Sequence, residues 1–324
     1  MRTRRILIPV AVAALPALAL AGCSSASDDA SASGDSTFQI VTSTTVYADI
    51  VKQIVGDAAN VEAVIDSASV DPHDYEATAR DGLTVQDADL AIMNGGGYDQ
   101  FMEDLLGSAD VAHVMSVVEY SDAYPGEDGE EHDHDHDHAD EAEDEDGHDH
   151  IEGFNEHVWY DPHTIEHFTE ALRDELVEVI PESKDQIEAG AQSVLDQTAE
   201  LEQKLEAIAA DHTGDTAFFT EPVGAYFTET AGLTDATTEG FAEAVEHGED
   251  VAPATLNAAI KSIEGGEITV LVANAQTGGS ETERVIQAAE SADVPVLEFT
   301  ETIPDGDDFF GWMNDNADAL AAAL

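Results

Sequence analysis

Residues 181–212 read PESKDQIEAGAQSVLDQTAELEQKLEAIAADH, with one glycine and no proline after the first position. The apolar residues recur at spacings of seven and of three or four, which is the period of one buried face on an α-helix. A proline in the first turn is a common way for a helix to begin. The stretch therefore predicts one amphipathic helix about 45 Å long. Its apolar positions are Ile187, Val194, Leu201, Leu205 and Ile208.

Short β-rich runs alternate with helical segments on both sides of this helix. Such alternation is typical of mostly parallel sheets flanked by helices. We therefore predict an α/β fold with one lobe at residues 37–180, the linking helix at 181–212 and a second lobe at 213–324. One rigid linking helix lets the lobes rotate only a little, so a ligand between them should meet a nearly preformed cleft. The predicted strands are residues 37–43, 61–65, 90–94, 111–114, 217–220, 268–273 and 294–299, and the predicted helices are 46–55, 83–88, 98–106, 225–231 and 281–292.

The first residues have the pattern of an export signal. Three arginines precede an apolar stretch at residues 6–19, and Leu20-Ala21-Gly22-Cys23 follows it. That order is typical of a signal peptide, and the apolar stretch is too short for an ordinary membrane span. The segment resembles the lipobox of bacterial lipoproteins, which implies a signal peptide at residues 1–22, a lipid on Cys23 and a flexible tether at 23–36 that holds the protein outside the cytoplasm. Because Cys23 is the only cysteine, the alternative is a free exported thiol.

The chain is strongly acidic, with 71 acidic and 10 basic residues and a formal net charge of -61. Such a surface repels nucleic acid and anionic lipid headgroups, so we expect no nucleic-acid partner. It attracts cations, although salt screens this attraction beyond about 10 Å. Because the charge is spread along the whole chain, it indicates adaptation to a salty environment and does not by itself define a metal site.

An acidic, histidine-rich run dominates residues 121–152, which we predict to be a loop. Alternating imidazoles and carboxylates offer little apolar surface to offset the entropy of ordering. A tract of this composition is typical of metal binding, and the alternative is a solubilising loop whose histidines are incidental. The six candidate ligands of this auxiliary site are His132, His134, His136, His138, His148 and His150.

Two histidines outside the loop stand in unusual settings. His73 lies in Asp71-Pro72-His73-Asp74-Tyr75-Glu76, directly after a predicted strand. The proline stiffens the turn, and the imidazole should lie at the carboxyl edge of a parallel sheet, where open α/β folds bind ligands. His157 lies in His157-Val158-Trp159-Tyr160-Asp161-Pro162, after the loop and before a helix. Taken alone, either histidine is more often a structural residue than a ligand.

Two other segments have competing interpretations. Asn94-Gly95-Gly96-Gly97-Tyr98 lacks the full spacing of a phosphate-binding loop, so it predicts a tight turn from strand to helix. Residues 274–279, which read NAQTGG, could line the cleft or merely turn the chain into a helix.

The two histidine segments resemble the DPHxYE and HxWxDP signatures of the solute-binding lipoproteins of bacterial ABC importers for zinc and manganese. The resemblance runs from about residue 37 to residue 313 and includes the lipobox, the acidic histidine-rich insertion and the linking helix. It implies two α/β lobes bridged by that helix, with a metal ion buried between them. His73 and His157 are then metal ligands.

The resemblance also implies two ligands from the second lobe. The third ligand of the family is a histidine in zinc importers and commonly a glutamate in manganese importers, and the matching position in this chain is Glu221. The fourth ligand of the family is an aspartate in the C-terminal lobe. The matching segment, Leu297-Glu298-Phe299-Thr300-Glu301, offers Glu301, with Glu298 as the alternative. We expect all four ligands at the ends of strands, two from each lobe.

Two neutral imidazoles and two carboxylates would neutralise a divalent ion, which matters because an uncompensated buried charge is very costly. Zinc accepts such a set in a tetrahedral site, whereas manganese prefers oxygen ligands and a higher coordination number. The histidine-rich loop favours Zn(II), while Glu221 and Glu301 also tolerate Mn(II) or Fe(II). We expect Zn(II) as the bound metal, with Mn(II) or Fe(II) as the alternative.

These features predict a monomeric protein that captures a metal outside the cytoplasm and delivers it to an ABC permease. A zinc metalloenzyme would need an open coordination position for water and a nearby general base, and the sequence contains no HExxH motif. We therefore do not expect an enzyme. A metal-storage lipoprotein or an adhesin, in which the loop carries the function, is the remaining alternative.

Overall fold

The computed structural model describes residues 37–126, 151 and 153–324. The first sheet contains four parallel strands in the order β2-β1-β3-β4, and the second contains four parallel strands in the order β6-β5-β7-β8. Helices lie between the strands, so the predicted fold of two parallel α/β lobes is confirmed. The strands are β1 (Phe38–Thr44), β2 (Ala59–Ile65), β3 (Leu90–Met93), β4 (His113–Ser116), β5 (Thr216–Phe219), β6 (Thr234–Asp235), β7 (Val270–Asn274) and β8 (Val296–Phe299).

A side-chain cap fixes the start of the second helix of the first lobe, α2. The Thr78 side chain accepts hydrogen bonds from the amides of the first turn of α2, and the Asp81 side chain accepts one from the Thr78 amide. Because this capping box starts the helix at Ala79, α2 begins four residues before the predicted position. The α-helices are α1 (Thr45–Val55), α2 (Ala79–Gln86), α3 (Gln100–Leu106), α4 (Pro162–Val179), α5 (Lys184–His212), α6 (Ala225–Thr230), α7 (Phe241–Glu246), α8 (Pro253–Glu264), α9 (Ser280–Ser291) and α10 (Phe309–Ala323).

The linking helix is α5, which has 29 residues and is about 43 Å long. A 3₁₀ turn at Pro181–Ser183 precedes it, so the regular helix begins three residues later than predicted. All five apolar positions of the predicted face are buried. This face packs against α1 and α4 of the first lobe and against α6 and α10.

One apolar core is continuous across the two lobes. It contains Ile40 of β1, Leu201 of α5, Phe219 of β5 and Trp312 of α10. The last helix, α10, therefore crosses back to the first lobe, where the Phe309 amide donates a hydrogen bond to Asp49 Oδ2 at 3.0 Å. Residues from the expected second lobe, 213–324, thus share this core with residues of the first lobe. Within the described residues, no helix is long and apolar enough to cross a membrane.

Candidate metal centre

The His73 segment is a turn fixed by its own side chains. Asp71 Oδ1 accepts a hydrogen bond from the His73 amide at 2.9 Å, which is the local bonding that makes aspartate favourable in turns. Further along the motif, the Tyr75 hydroxyl donates to Asp81 Oδ2 at 2.9 Å. The turn is thereby attached to α2, and the His73 imidazole is buried at the interior end of the segment.

The His157 segment is fixed by the start of α4. The Asp161 side chain caps this helix by accepting hydrogen bonds from the His163 and Thr164 amides, and Pro162 occupies the first turn. The aspartate and proline of the second motif are therefore the N-cap and first residue of a helix. His157 lies four residues before that cap and is fully buried.

Asn155 sets the tautomer of the His157 ring. Its Nδ2 donates to the Pro222 carbonyl at 3.1 Å, so its Oδ1 is the atom that faces His157 Nδ1 at 2.8 Å. Because a carbonyl oxygen can only accept, this hydrogen bond requires Nδ1 to be the donor, which in a neutral ring leaves the lone pair on Nε2. An oriented imidazole of this kind is typical of a metal ligand supported by an outer partner.

Three neighbouring strands of the second lobe end beside one another at the site. Glu221 and Glu301 follow β5 and β8 by two residues, and Asn274 is the last residue of the strand between them. Asn274 Nδ2 donates to Glu221 Oε2 at 2.8 Å and to Glu301 Oε1 at 2.6 Å. One amide group therefore holds the two carboxylates together, and both glutamates are buried.

The expectation that all four ligands lie at strand ends was wrong for the two histidines. His73 stands eight residues beyond the end of β2, and His157 immediately precedes a 3₁₀ turn at Val158–Tyr160. Strand ends position the carboxylates, whereas capped turns position the imidazoles. The alternative fourth residue, Glu298, is exposed on β8, which leaves Glu301 as the candidate of the two.

The structure places His73 of the first lobe beside Glu301 of the second lobe. His73 Nε2 lies 3.6 Å from Glu301 Oε2, and the His73 and His157 ring centres are 5.7 Å apart. Ligands on a tetrahedral zinc ion are about 3.3–3.6 Å from one another, given bonds of about 2.0–2.2 Å. The His73–Glu301 pair already has this separation. Glu221 is joined to the group through Asn274, and its Oε1 accepts a hydrogen bond from Thr277.

Tyr98 forms an aromatic wall of the site, a role that its sequence motif did not predict. Its ring meets the His73 ring edge-on at 4.8 Å and the His157 ring at 5.8 Å. The three preceding glycines, Gly95 to Gly97, all have positive φ, and a Cβ on Gly95 would collide with Ser116. The glycine turn predicted before α3 is therefore present, and it delivers an aromatic ring to the two imidazoles.

The segment that follows β7 lines the cleft, which decides between its two interpretations. Besides Asn274, Gln276 Oε1 accepts hydrogen bonds from the Glu301 and Thr302 amides. Gln276 Nε2 also donates to the Val70 carbonyl at 3.3 Å. This residue therefore fixes the Glu301 backbone and connects it to the His73 turn across the cleft.

One carboxylate at the site, that of Glu246, was not predicted from the sequence. Glu246, the last residue of α7, has an oxygen that lies within 4.8 Å of ligand atoms of both His73 and His157. Its side chain is only 10% exposed. No motif marks this glutamate, because it stands in a short helix among several other acidic residues and only the tertiary fold turns it inward.

Burial dominates the electrostatics of the three glutamates. Loss of solvation raises the pKa of Glu301 well above its usual value, and the nearby Asp71 and Glu221 carboxylates raise it further. Burial also raises the pKa of Glu221, while hydrogen bonds from Thr277 and Asn274 lower it. For Glu246, burial and then the neighbouring acids raise the pKa to about 10. A divalent cation among these groups would favour their ionised forms by direct attraction.

Several predicted features lie outside the described residues. These are the signal peptide, Cys23 and the tether, together with the histidines of the auxiliary loop, His132, His134, His136, His138, His148 and His150. Their proposed roles remain predictions.

Comparisons with known proteins agree with this fold and site. The profile of the ZnuA family, described as zinc-uptake complex component A, periplasmic, matches residues 40–323. The manganese-binding lipoprotein MntA of Halalkalibacterium halodurans is 27% identical over 187 residues, which is 58% of this chain and 54% of that protein. The zinc-binding lipoprotein AdcA of Streptococcus pneumoniae is 29% identical over 198 residues, which is 60% of this chain and 36% of that protein. The aligned region thus spans about half of the first relative and about a third of the second.

Among solved structures, the periplasmic zinc-binding protein TroA from Treponema pallidum superposes with a TM-score of 0.69. It is 19% identical, and the match covers 89% of this chain and 99% of the other. At this level of identity the likeness establishes the shared two-lobed fold.

Proposed function

Because the chain belongs to the ZnuA family of periplasmic zinc-uptake components, we propose that it captures a divalent transition metal outside the cytoplasm and delivers it to the permease of an ABC importer. The observation that carries this proposal is the convergence of two buried imidazoles and two buried carboxylates from opposite lobes. Buried ionisable groups are rare unless they are paired or hold a metal. The metal is cargo, so no covalent step is required.

In this proposal His73, His157, Glu221 and Glu301 hold the ion. The Asn155 hydrogen bond presents Nε2 of His157, and the Asn274 amide sets the spacing of the two carboxylates. Zn(II) is the first candidate because it accepts imidazole and carboxylate in a closed site. Mn(II) or Fe(II) is the alternative, because bidentate carboxylates can supply the higher coordination number that these metals accept.

The same proposal places the protein on the outer face of the cell membrane as a monomer. The support is the sequence of residues 1–23, which predicts a signal peptide followed by a lipid-modified Cys23. The histidine-rich loop would collect metal weakly near the buried site. The domain boundaries at 37–180, 181–212 and 213–324 belong to the proposal as well, with α5 as the linking element.

The test is a competitive titration of residues 24–324 with Zn(II) and Mn(II) in the presence of a chelator of known affinity. We expect one tight site that prefers zinc and that His73→Ala abolishes. His163→Ala is the matched control, because it removes an imidazole whose side chain is 57% exposed, and it should leave that site unchanged. Tight binding retained in His73→Ala would contradict the proposal, and a preference for manganese would move the protein to the manganese importers.

Deletion of residues 132–150 separates capture from storage. A capture protein keeps its single tight site without the loop, whereas a storage protein loses nearly all of its bound metal. The measurement is the number of zinc ions bound per chain, before and after deletion, at a free zinc concentration that saturates only the tight site.

A further inference from the structure

We propose that the carboxylate of Glu246 is a direct ligand of the captured metal, beside His73 and His157. This inference rests on the proposed function and deepens it, because it adds to the site a residue that neither histidine motif contains. It also assigns a role to α7, the short helix that carries Glu246.

Geometry is the first support. His73, His157 and Glu246 are the group of potential metal ligands that lies closest together in the described part of the chain, with one ligand atom of each within 4.8 Å of the others. A contraction of about 1 Å would bring the three groups to the spacing of ligands on one ion.

The second support is the state of the carboxylate oxygens. Glu246 Oε1 is buried and accepts no hydrogen bond from any residue that the structure describes. Both oxygens of Glu221, by contrast, accept hydrogen bonds from Asn274 and Thr277. A buried carboxylate oxygen without a donor is costly, and a metal ion would provide the missing partner. Glu246 is therefore better placed than Glu221 to contribute an uncommitted oxygen.

The third support is position relative to solvent. A cavity of about 750 Å³ opens beside the site, and its wall includes His73 and Glu246 together with Asp71 and Asp74. Of the three grouped ligands, His73 and Glu246 border this cavity. A cation that arrives through the acidic cavity therefore meets these two groups first, and His157 completes the group from the interior.

A carboxylate at this position changes the composition of the site. With Glu221 and Glu301, it raises the set to three carboxylates and two imidazoles, which permits more than four bonds to the metal. Manganese and ferrous iron depend on such oxygen-rich sets of higher coordination number, whereas zinc, which binds most nitrogen and oxygen sites more tightly, needs only four ligands. Removal of Glu246 should therefore weaken Mn(II) binding more than Zn(II) binding.

The experiment compares Glu246→Gln and Glu246→Ala with Glu243→Gln in the mature chain without its lipid-bearing Cys23, residues 24–324. Glu243 is a matched control, because it lies one turn earlier on α7 and is exposed. Zinc and manganese affinities are measured by chelator competition, and the coordination of the site is measured from the visible absorption bands of bound Co(II). The thermal melt of each variant verifies that it is folded.

Loss of a direct ligand should lower metal affinity by more than the roughly 10–100-fold that follows the loss of an outer partner. We therefore expect both Glu246 variants to lose at least about 100-fold in Mn(II) affinity and to shift the Co(II) bands, while Glu243→Gln stays within about fivefold, as befits an exposed charge. Unchanged Co(II) bands in a folded Glu246 variant would overturn the inference, whatever the affinity. If His73→Ala also bound metal normally, the proposed function would fail with it, whereas loss of binding in His73→Ala alone would leave that function intact.

Discussion

At the scale of single residues, metal binding by the histidines depends on the side chains that orient their rings. Asn155 of the first lobe contacts the second lobe twice, since its side-chain Nδ2 donates to the Pro222 carbonyl and its backbone carbonyl accepts from the Tyr226 hydroxyl. The same side chain holds His157 Nδ1 in its protonated form. Asn155 therefore both orients the His157 ring and links the first lobe to the second.

We predict that Asn155→Ala lowers zinc affinity by about 10–100-fold, because the His157 ring loses the partner that fixes its orientation. Chelator competition on the mature chain measures the change. Asn257→Ala is the control, since the side chain of that exposed asparagine donates to the Pro253 carbonyl of its own helix, and its loss should leave affinity unchanged. An Asn155 variant with full affinity would show that the packing of the ring alone positions it.

At the scale of elements, α5 carries its one glycine where it crosses α1. A Cβ on Gly190 would lie 2.3 Å from the Ile54 carbonyl oxygen, and 2.8 Å from that of Gln53. Both are backbone atoms, so neither can move away by a change of side-chain rotamer. The glycine allows the two helices to approach more closely than any other residue would permit.

Gly190→Ala should therefore destabilise the protein by about 1–3 kcal/mol through overpacking, despite the better helix propensity of alanine. Gly82→Ala is the matched control, because that helical glycine has only the Leu105 side chain nearby, at 3.7 Å. Without a clash, it should gain about 0.5–1 kcal/mol. Urea unfolding of both variants measures the difference, and equal effects would argue against the close crossing.

Elements with a strong local signal could be predicted from the sequence. The linking helix showed its apolar period, the central strands were continuous apolar runs, and the two histidine motifs resembled a known family. Glu246 could not be predicted, because α7 has only six residues and no periodic pattern in a stretch rich in acids. The return of α10 to the first lobe was equally hidden, since its apolar face does not indicate which lobe it covers.

At the scale of the whole molecule, excess charge opposes the compact state. The chain has 71 acidic and only 10 basic residues, so most carboxylates cannot be paired with a lysine or an arginine. Salt shortens the range of this repulsion from about 14 Å near 0.05 M to about 3 Å at 1 M.

We therefore predict that the melting temperature of the metal-free mature chain rises by at least about 4 °C between about 0.05 M and 1 M NaCl, which for a chain of this size corresponds to more than about 1 kcal/mol. Calorimetry or circular dichroism measures it, and KCl should act as NaCl does because the effect is screening. A melting temperature that is flat or falls with salt would show that the acidic surface is already compensated.

The contact between Phe309 and Asp49 spans 260 positions of the chain, and it has a consequence for the order in which the protein folds. The core of the first lobe includes side chains of α10, so that lobe remains incomplete while most of the chain after it is being synthesised. Contacts of such long range close late and slow the approach to the native state. We therefore expect the first lobe to complete its folding only after α10 has emerged, and an incompletely folded chain can still pass through an export channel.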